Sequence, residues 1–212
     1  NPNKVQSIYN PIDMDRIRIL SGEKIDEFWL TEKSIPVLIA IGRLEQEKNF
    51  SFLLNVFQTL IKKRKVRLLI LGEGSERQML EQQMIAFGIE NDVKLLGIKT
   101  NPYPYISNAD LLVCTSKYEG FNITLAESLA CGTPVISMNC PYGPAEILDN
   151  GTYGQLISPG DQDGMVNAII AAIDHPESLP SKEKLMERAK RFSAEKIFSE
   201  YQELFLKEFF KD

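Results

Sequence analysis

The sequence is poor in the residues that most often mark a reactive site. It has one histidine, three cysteines and one tryptophan in 212 residues. Any Ser-His-Asp or Cys-His triad within the chain would have to use His175, the one histidine, and its position argues against that. His175 sits in Asp174-His175-Pro176, which reads as a solvated helix end before a loop. Cys114, Cys131 and Cys140 lack the paired spacing of a zinc site, so no metal site is expected. They read as buried structural thiols, and their odd number suits a reducing, cytosolic setting. Excess positive charge is also missing. The net charge is −5, and no nucleic-acid partner is expected, because a phosphate-backbone footprint needs clustered cations. No apolar run approaches the roughly 18 residues of a membrane-spanning helix. No leader-like stretch opens the chain, although Asn1 is not a natural start. What remains, 43% hydrophobic and 25% charged residues, is the balance of a globular protein, and the length suits one large α/β domain.

Short apolar runs alternate with amphipathic stretches. Strands are expected at 37–41, 66–71, 93–96, 111–114, 135–137 and 155–157. Helices are expected at 49–61, 75–87, 123–130, 161–174, 182–191 and 194–210. Asn49 is the expected N-cap of the first helix and Ser193 that of the last, and Gly88 stops the second. The strands are continuous apolar runs, as strands covered on both faces are. The alternation therefore implies an α/β fold with a mostly parallel sheet. In such sheets ligands bind beyond the carboxyl ends of the strands. That singles out the loops after Ile41, Leu71, Leu96 and Cys114. The opening stretch, 1–13, is polar and proline-bearing and reads as a linker from something upstream.

Gly42-Arg43-Leu44-Glu45-Gln46-Glu47-Lys48 follows the first strand. Arg43 offers a planar fork of donors and Lys48 a point charge, a pair suited to a diphosphate. A solvated basic loop is the alternative. Gly72-Glu73-Gly74 follows the second strand, where Gly72 lets a backbone approach a ligand or simply makes a tight turn. It is not a dinucleotide fingerprint, since the third glycine of G-x-G-x-x-G is absent, and no P-loop pattern occurs. The most informative stretch is Glu119-Gly120-Phe121-Asn122-Ile123-Thr124-Leu125-Ala126-Glu127. The amides of Phe121, Asn122 and Ile123 fall at a helix N-terminus, a ready anion site. Glu119 lies in the loop before that helix and Glu127 about one turn inside it. Ionised carboxylates accept bonds from vicinal hydroxyls, so one can face a sugar and the other hydroxyls beside a phosphate.

These residues resemble the glycosyltransferase family 4 enzymes, which have the GT-B fold. Glu119 and Glu127 match the family's E-x7-E motif, and Gly42, Arg43 and Lys48 its G-R-L-x-x-x-K loop. Glu127-Ser128-Leu129-Ala130-Cys131-Gly132-Thr133-Pro134-Val135-Ile136 resembles its E-A-x-A-x-G-x-P-V-I continuation. Val93-Lys94-Leu95-Leu96-Gly97 and Ser7-Ile8-Tyr9-Asn10-Pro11-Ile12-Asp13 resemble two further segments. The match runs in order along nearly the whole chain. Pro11 and Asn122 depart from it, replacing a usual glycine and a frequent proline, but neither removes a charge.

The resemblance implies a Rossmann-like, doubly wound parallel sheet that is the C-terminal half of a GT-B glycosyltransferase. Residues 1–212 would be the donor domain, with 194–212 a terminal helix. Its Leu204, Phe205, Leu206, Phe209 and Phe210 would pack either on a missing N-terminal acceptor domain or on the domain itself. The implied activity is retaining, metal-independent transfer of a hexose or N-acetylhexosamine from a UDP-sugar, with no cofactor, to a glycan or lipid-linked acceptor. Arg43 and Lys48 would hold and stabilise the diphosphate leaving group. Glu119 would bind the transferred sugar and Glu127 the ribose. Gly42, Gly72, Gly120, the amides of Phe121, Asn122 and Ile123, and the Thr124 hydroxyl would complete the donor site, and the Lys99 backbone would meet the base. The segment 139–147 is similar to members that build bacterial surface polysaccharides, which places the enzyme in the cytoplasm or peripherally at the inner face of its membrane. A sugar-nucleotide epimerase or phosphorylase of the same fold, and a non-enzymatic nucleotide-sugar-binding module, remain alternatives.

Overall fold

A computed structural model describes residues 6–209, leaving aside the side chains of 208 and 209. The first five residues of the expected linker, and Phe210, lie outside the described residues.

Six strands form one sheet: β1 (Val37–Ile41), β2 (Arg67–Leu71), β3 (Val93–Leu95), β4 (Leu111–Cys114), β5 (Val135–Met138) and β6 (Gln155–Ile157). Every pairing is parallel, in the order β3-β2-β1-β4-β5-β6. Register is set by apolar pairs such as Leu38 with Leu68 on one side and Leu111 on the other. Alternate side chains of β1 enter two separate cores. Leu38 and Ala40 join Leu53, Phe57 and Ile169, while Val37 and Ile39 join Ile17, Leu129 and Phe192. Burying each such Leu, Ile or Phe removes enough apolar surface to contribute about 1.5–3 kcal/mol. This two-sided burial is why the strands read as unbroken apolar runs, and the doubly wound α/β expectation holds.

The helices are α1 (Met14–Leu20), α2 (Phe28–Thr31), α3 (Phe50–Ile61), α4 (Arg77–Phe87), α5 (Tyr103–Asn108), α6 (Ile123–Cys131), α7 (Pro144–Ile147), α8 (Gln162–Asp174), α9 (Lys182–Ala189) and α10 (Ala194–Phe209). Four short ones, α1, α2, α5 and α7, were not expected. Each is under two full turns, too short to display a period, and α5 and α7 carry a proline in the first turn. Proline fits a helix's first turn, where its missing N–H costs nothing. The expected helix 75–87 begins at Arg77, because Ser75 is held outside it by bonds from its amide (3.0 Å) and hydroxyl (2.7 Å) to Glu45. The expected helix 182–191 ends at Ala189 and tightens into a 3-10 turn, Lys190–Phe192. Ser193 caps α10 as expected, accepting from the Lys196 amide. Asn49 occupies the N-cap position of α3 but makes no capping bond, having φ 59°. On α10, Phe198, Tyr201, Phe205 and Leu206 are exposed, whereas Ile197 is buried.

One glycine is required by the packing of the chain on itself. Gly72 has φ 143°, and a Cβ there would lie 1.8 Å from the Gly42 carbonyl oxygen. Its smallness is required by the close approach of these two backbone segments.

Candidate functional site

The strand order reverses between β1 and β4. Ligands of open α/β sheets bind at such a reversal, and here the loops after the two strands meet, the Lys117 amide donating to the Glu47 carbonyl at 2.8 Å. The first loop, 42–48, is anchored by Leu44, which is fully buried and whose amide donates to the Glu73 carbonyl (2.9 Å). Arg43 and Lys48 stand on either side of this anchor. The Lys48 stem lies over Gly42, where a Cβ would come within 3.1 Å of it. Its ammonium thereby reaches Glu119 Oε1 at 2.7 Å, with side chains only 21% and 10% exposed. Arg43 instead points outward, 74% exposed, and donates to Glu47 Oε1 at 2.6 Å.

Three donors converge on Glu119 Oε1: Lys48, the Ser116 hydroxyl (2.6 Å) and the Asn122 amide (3.1 Å). Among the described residues nothing donates to Glu119 Oε2, so that oxygen remains available. Asn122, 9% exposed, is the N-cap of α6 with φ 63°. It turns its side chain inward to Glu119 and to Cys114 Sγ (3.2 Å) rather than capping the helix. Proline, locked at φ about −65°, could not make this turn, so the departure at 122 has a backbone consequence. The Phe121 ring is buried against Tyr9 and Phe192, with centroids 5.6 and 5.4 Å away. Among the described residues, the amides of Gly120, Phe121, Asn122, Ile123 and Thr124 donate to no other group. Successive unpaired amides at a helix start make a strong site for an anion.

Glu127 lies one turn further along α6, where its Oε1 accepts from the Tyr103 hydroxyl at 2.9 Å. Burial raises its carboxyl pKa, and the Tyr103 bond opposes that rise. Burial likewise raises the Tyr103 phenol, helped by the nearby Glu127 charge. Gly42, Arg43, Gly72 and Lys99 line an open pocket of about 220 Å³ together with Ile98 and Pro102. The Lys99 ammonium sits 5.6 Å from the Tyr105 ring centre.

The structure thus brings Lys48 and Glu119 into contact and gathers Gly42, Arg43, Gly72 and Lys99 around one pocket. It keeps Glu127 in a separate pairing with Tyr103. Ser116, Tyr103 and Glu47 were not singled out from sequence. Ser116 stands three residues before Glu119, and Tyr103 lies in a proline-flanked run that reads as loop, so only their spatial neighbours reveal them.

The cysteines are free. Burial pushes the Cys131 thiol up to about 12 and that of Cys140 to about 11. Cys114 is only half-buried and borders the Glu119 network. His175 is exposed at the end of α8, 3.2 Å from Glu177. Among the described residues no cluster of His, Cys, Asp or Glu has a metal-holding arrangement, and no helix is long and apolar enough to cross a membrane.

The sequence model of the family described as glycosyl transferases group 1 matches residues 22–192. Over 199 residues the chain is 30% identical to N-acetylgalactosamine-N,N'-diacetylbacillosaminyl-diphospho-undecaprenol 4-alpha-N-acetylgalactosaminyltransferase of Campylobacter jejuni, covering 93% of this chain and 52% of that protein. It is 29% identical over 213 residues to N-acetyl-alpha-D-glucosaminyl L-malate synthase of Bacillus anthracis, covering 96% and 54%. Its fold matches that of HepE from Anabaena, solved in complex with UDP, with a TM-score of 0.83 at 23% identity over 97% of this chain and 58% of the other. The chain spans about half the length of the curated relatives it matches.

Proposed function

The chain belongs to the group 1 glycosyl transferases, and from that premise we propose that it is the donor-binding domain of a retaining transferase that uses a UDP-sugar. The observation that supports this most is the meeting of Lys48, from the loop after β1, with Glu119, from the loop after β4, where the strand order reverses. The base occupies the pocket beside Lys99, and the ribose hydroxyls bond to Glu127. Arg43, Lys48 and the free amides at the start of α6, with the Thr124 hydroxyl, hold the diphosphate. They stabilise the charge that develops as it departs, the usual role of preorganised donors, without a metal or a further cofactor. Glu119 Oε2 accepts from hydroxyls of the transferred hexose or N-acetylhexosamine. The two glutamates are thus donor-holding groups, not a general acid and base couple.

A further domain completes the acceptor site, for a glycan or lipid-linked glycan in bacterial surface polysaccharide synthesis, at the cytoplasmic side of the membrane. The Campylobacter relative, whose name specifies an undecaprenol-linked acceptor, supports that class. Calorimetry of the 212-residue chain tests the reading. UDP binding is expected, weakened by both Arg43→Ala and Glu127→Ala. Wild-type affinity in both variants refutes the site, and efficient sugar transfer by this chain alone refutes the two-domain assignment.

A further inference from the structure

The loop after β5 carries a motif that the donor reading leaves unused. Its ends are fixed. Cys140 is 4% exposed and Pro144 is buried. Gly143 presses on the Phe121 carbonyl so closely that a Cβ would lie 2.3 Å from its oxygen. Between these anchors Tyr142 is 74% exposed and takes φ 63°. A bulky residue ordinarily avoids the left-handed region, where its Cβ crowds the carbonyl. Among the described residues the Tyr142 side chain gains no hydrogen bond or ring contact in return. Strain that local packing does not reward points to function. The loop is also tied to the donor site, because the Glu119 amide donates to the Pro141 carbonyl at 3.4 Å. One residue from that bond on either strand loop stand two exposed aromatics, Tyr142 and Tyr118, the latter 60% exposed.

The order of elements along the carboxyl edge says what such a rim faces. The pocket lies by β1 and β2, the cations after β1, Glu119 after β4, and Tyr142 after β5, and the sheet runs β2-β1-β4-β5. Granting the donor reading, base, diphosphate and transferred sugar follow that same order, so the β5 loop lies just beyond the sugar. We infer that Tyr142, with Tyr118, is a stacking platform for a pyranose ring of the acceptor glycan. An aromatic face packs on the C–H face of a sugar ring, while the phenol leaves a polar handle for its hydroxyls. Holding the ring in place beforehand spares the ordering cost on binding.

The test uses the 212-residue chain saturated with UDP. The probes are the methyl α-glycosides of glucose, galactose, N-acetylglucosamine and N-acetylgalactosamine, read by saturation-transfer NMR. At least one glycoside is expected to receive saturation. Tyr142→Asn, which keeps a residue tolerant of φ above zero, and Tyr118→Ala are each expected to weaken that binding roughly tenfold, as loss of an aromatic face would. UDP affinity should stay within about twofold, by the same reasoning, and the melting temperature of Tyr142→Asn should not fall. No transfer to any glycoside, or equal transfer in wild type and Tyr142→Asn, overturns the platform. So does a large loss of UDP affinity in that variant, which would assign the ring to the donor. Failure of the wild-type chain to bind UDP sinks the donor reading instead.

Discussion

Replacing Glu127 by glutamine should make the protein more stable and worse at binding UDP. Glutamine has nearly the same shape, and its side-chain oxygen can still accept from the Tyr103 hydroxyl, 2.9 Å away in the parent. Only the charge is lost. Burial holds the Glu127 pKa above its ordinary value in the folded chain, so the folded state binds that proton more tightly than the unfolded one. The associated stability is complete below the ordinary carboxylate range and is lost as pH rises through the raised value. At neutral pH the ionised group is therefore a liability, and the variant removes it. Its melting temperature should exceed that of wild type at pH 7, and the gap should close as pH falls through the same window. Binding should move the other way. A hydrogen bond to a charged group is worth about 1.5–3 kcal/mol, so loss of the charge opposite the ribose should weaken UDP roughly 10- to 100-fold. Thermal melts across pH and calorimetry with UDP read both effects. A variant that melts below wild type at pH 7, or that binds UDP equally well, would refute the reasoning.

Gly72→Ala meets the Gly42 carbonyl at 1.8 Å from φ 143° and should cost more than about 3 kcal/mol, seen as an earlier urea midpoint or as insoluble chain. Lys48→Met keeps the stem over Gly42 but strips Glu119, 10% exposed, of its cation. It should lose about 1–3 kcal/mol in urea denaturation and bind UDP more weakly. Unchanged stability there would show the pair to be incidental. Arg64→Ala removes a partly exposed bridge to Asp174, 46% and 30% exposed. It should leave the urea midpoint nearly unchanged, as loss of a solvent-screened pair does, and leave UDP binding untouched, making it the control.

Features encoded over a few consecutive residues were legible in the sequence. The run Val37–Ile41 is apolar at every position because β1 is covered on both faces, and its position follows from that alone. Gly88 ends α4 and Ser193 starts α10 through bonds to residues within four positions. Glu119 and Glu127 were visible because one loop and one helix carry both. Features requiring distant segments were not legible. Lys48 and Glu119 are 71 positions apart, and Tyr103 and Glu127 are 24 apart. Sequence assigned each charged residue to a ligand and could not show that Lys48 and Glu119 first bind each other. Sequence left Gly72 between a ligand approach and a tight turn and could not show that the fold lays Gly42 against it. The left-handed backbone of Tyr142, beside a Gly143 packed on the Phe121 carbonyl, is likewise a feature of the folded chain only. Local patterning, turn chemistry and capping act through short-range sterics and hydrogen bonds, so the sequence alone determined the six strands and the longer helices, though not the four short helices, which display no period. Which loops converge, and which charges pair when they do, depends on strand order and core packing, which the tertiary structure alone decides.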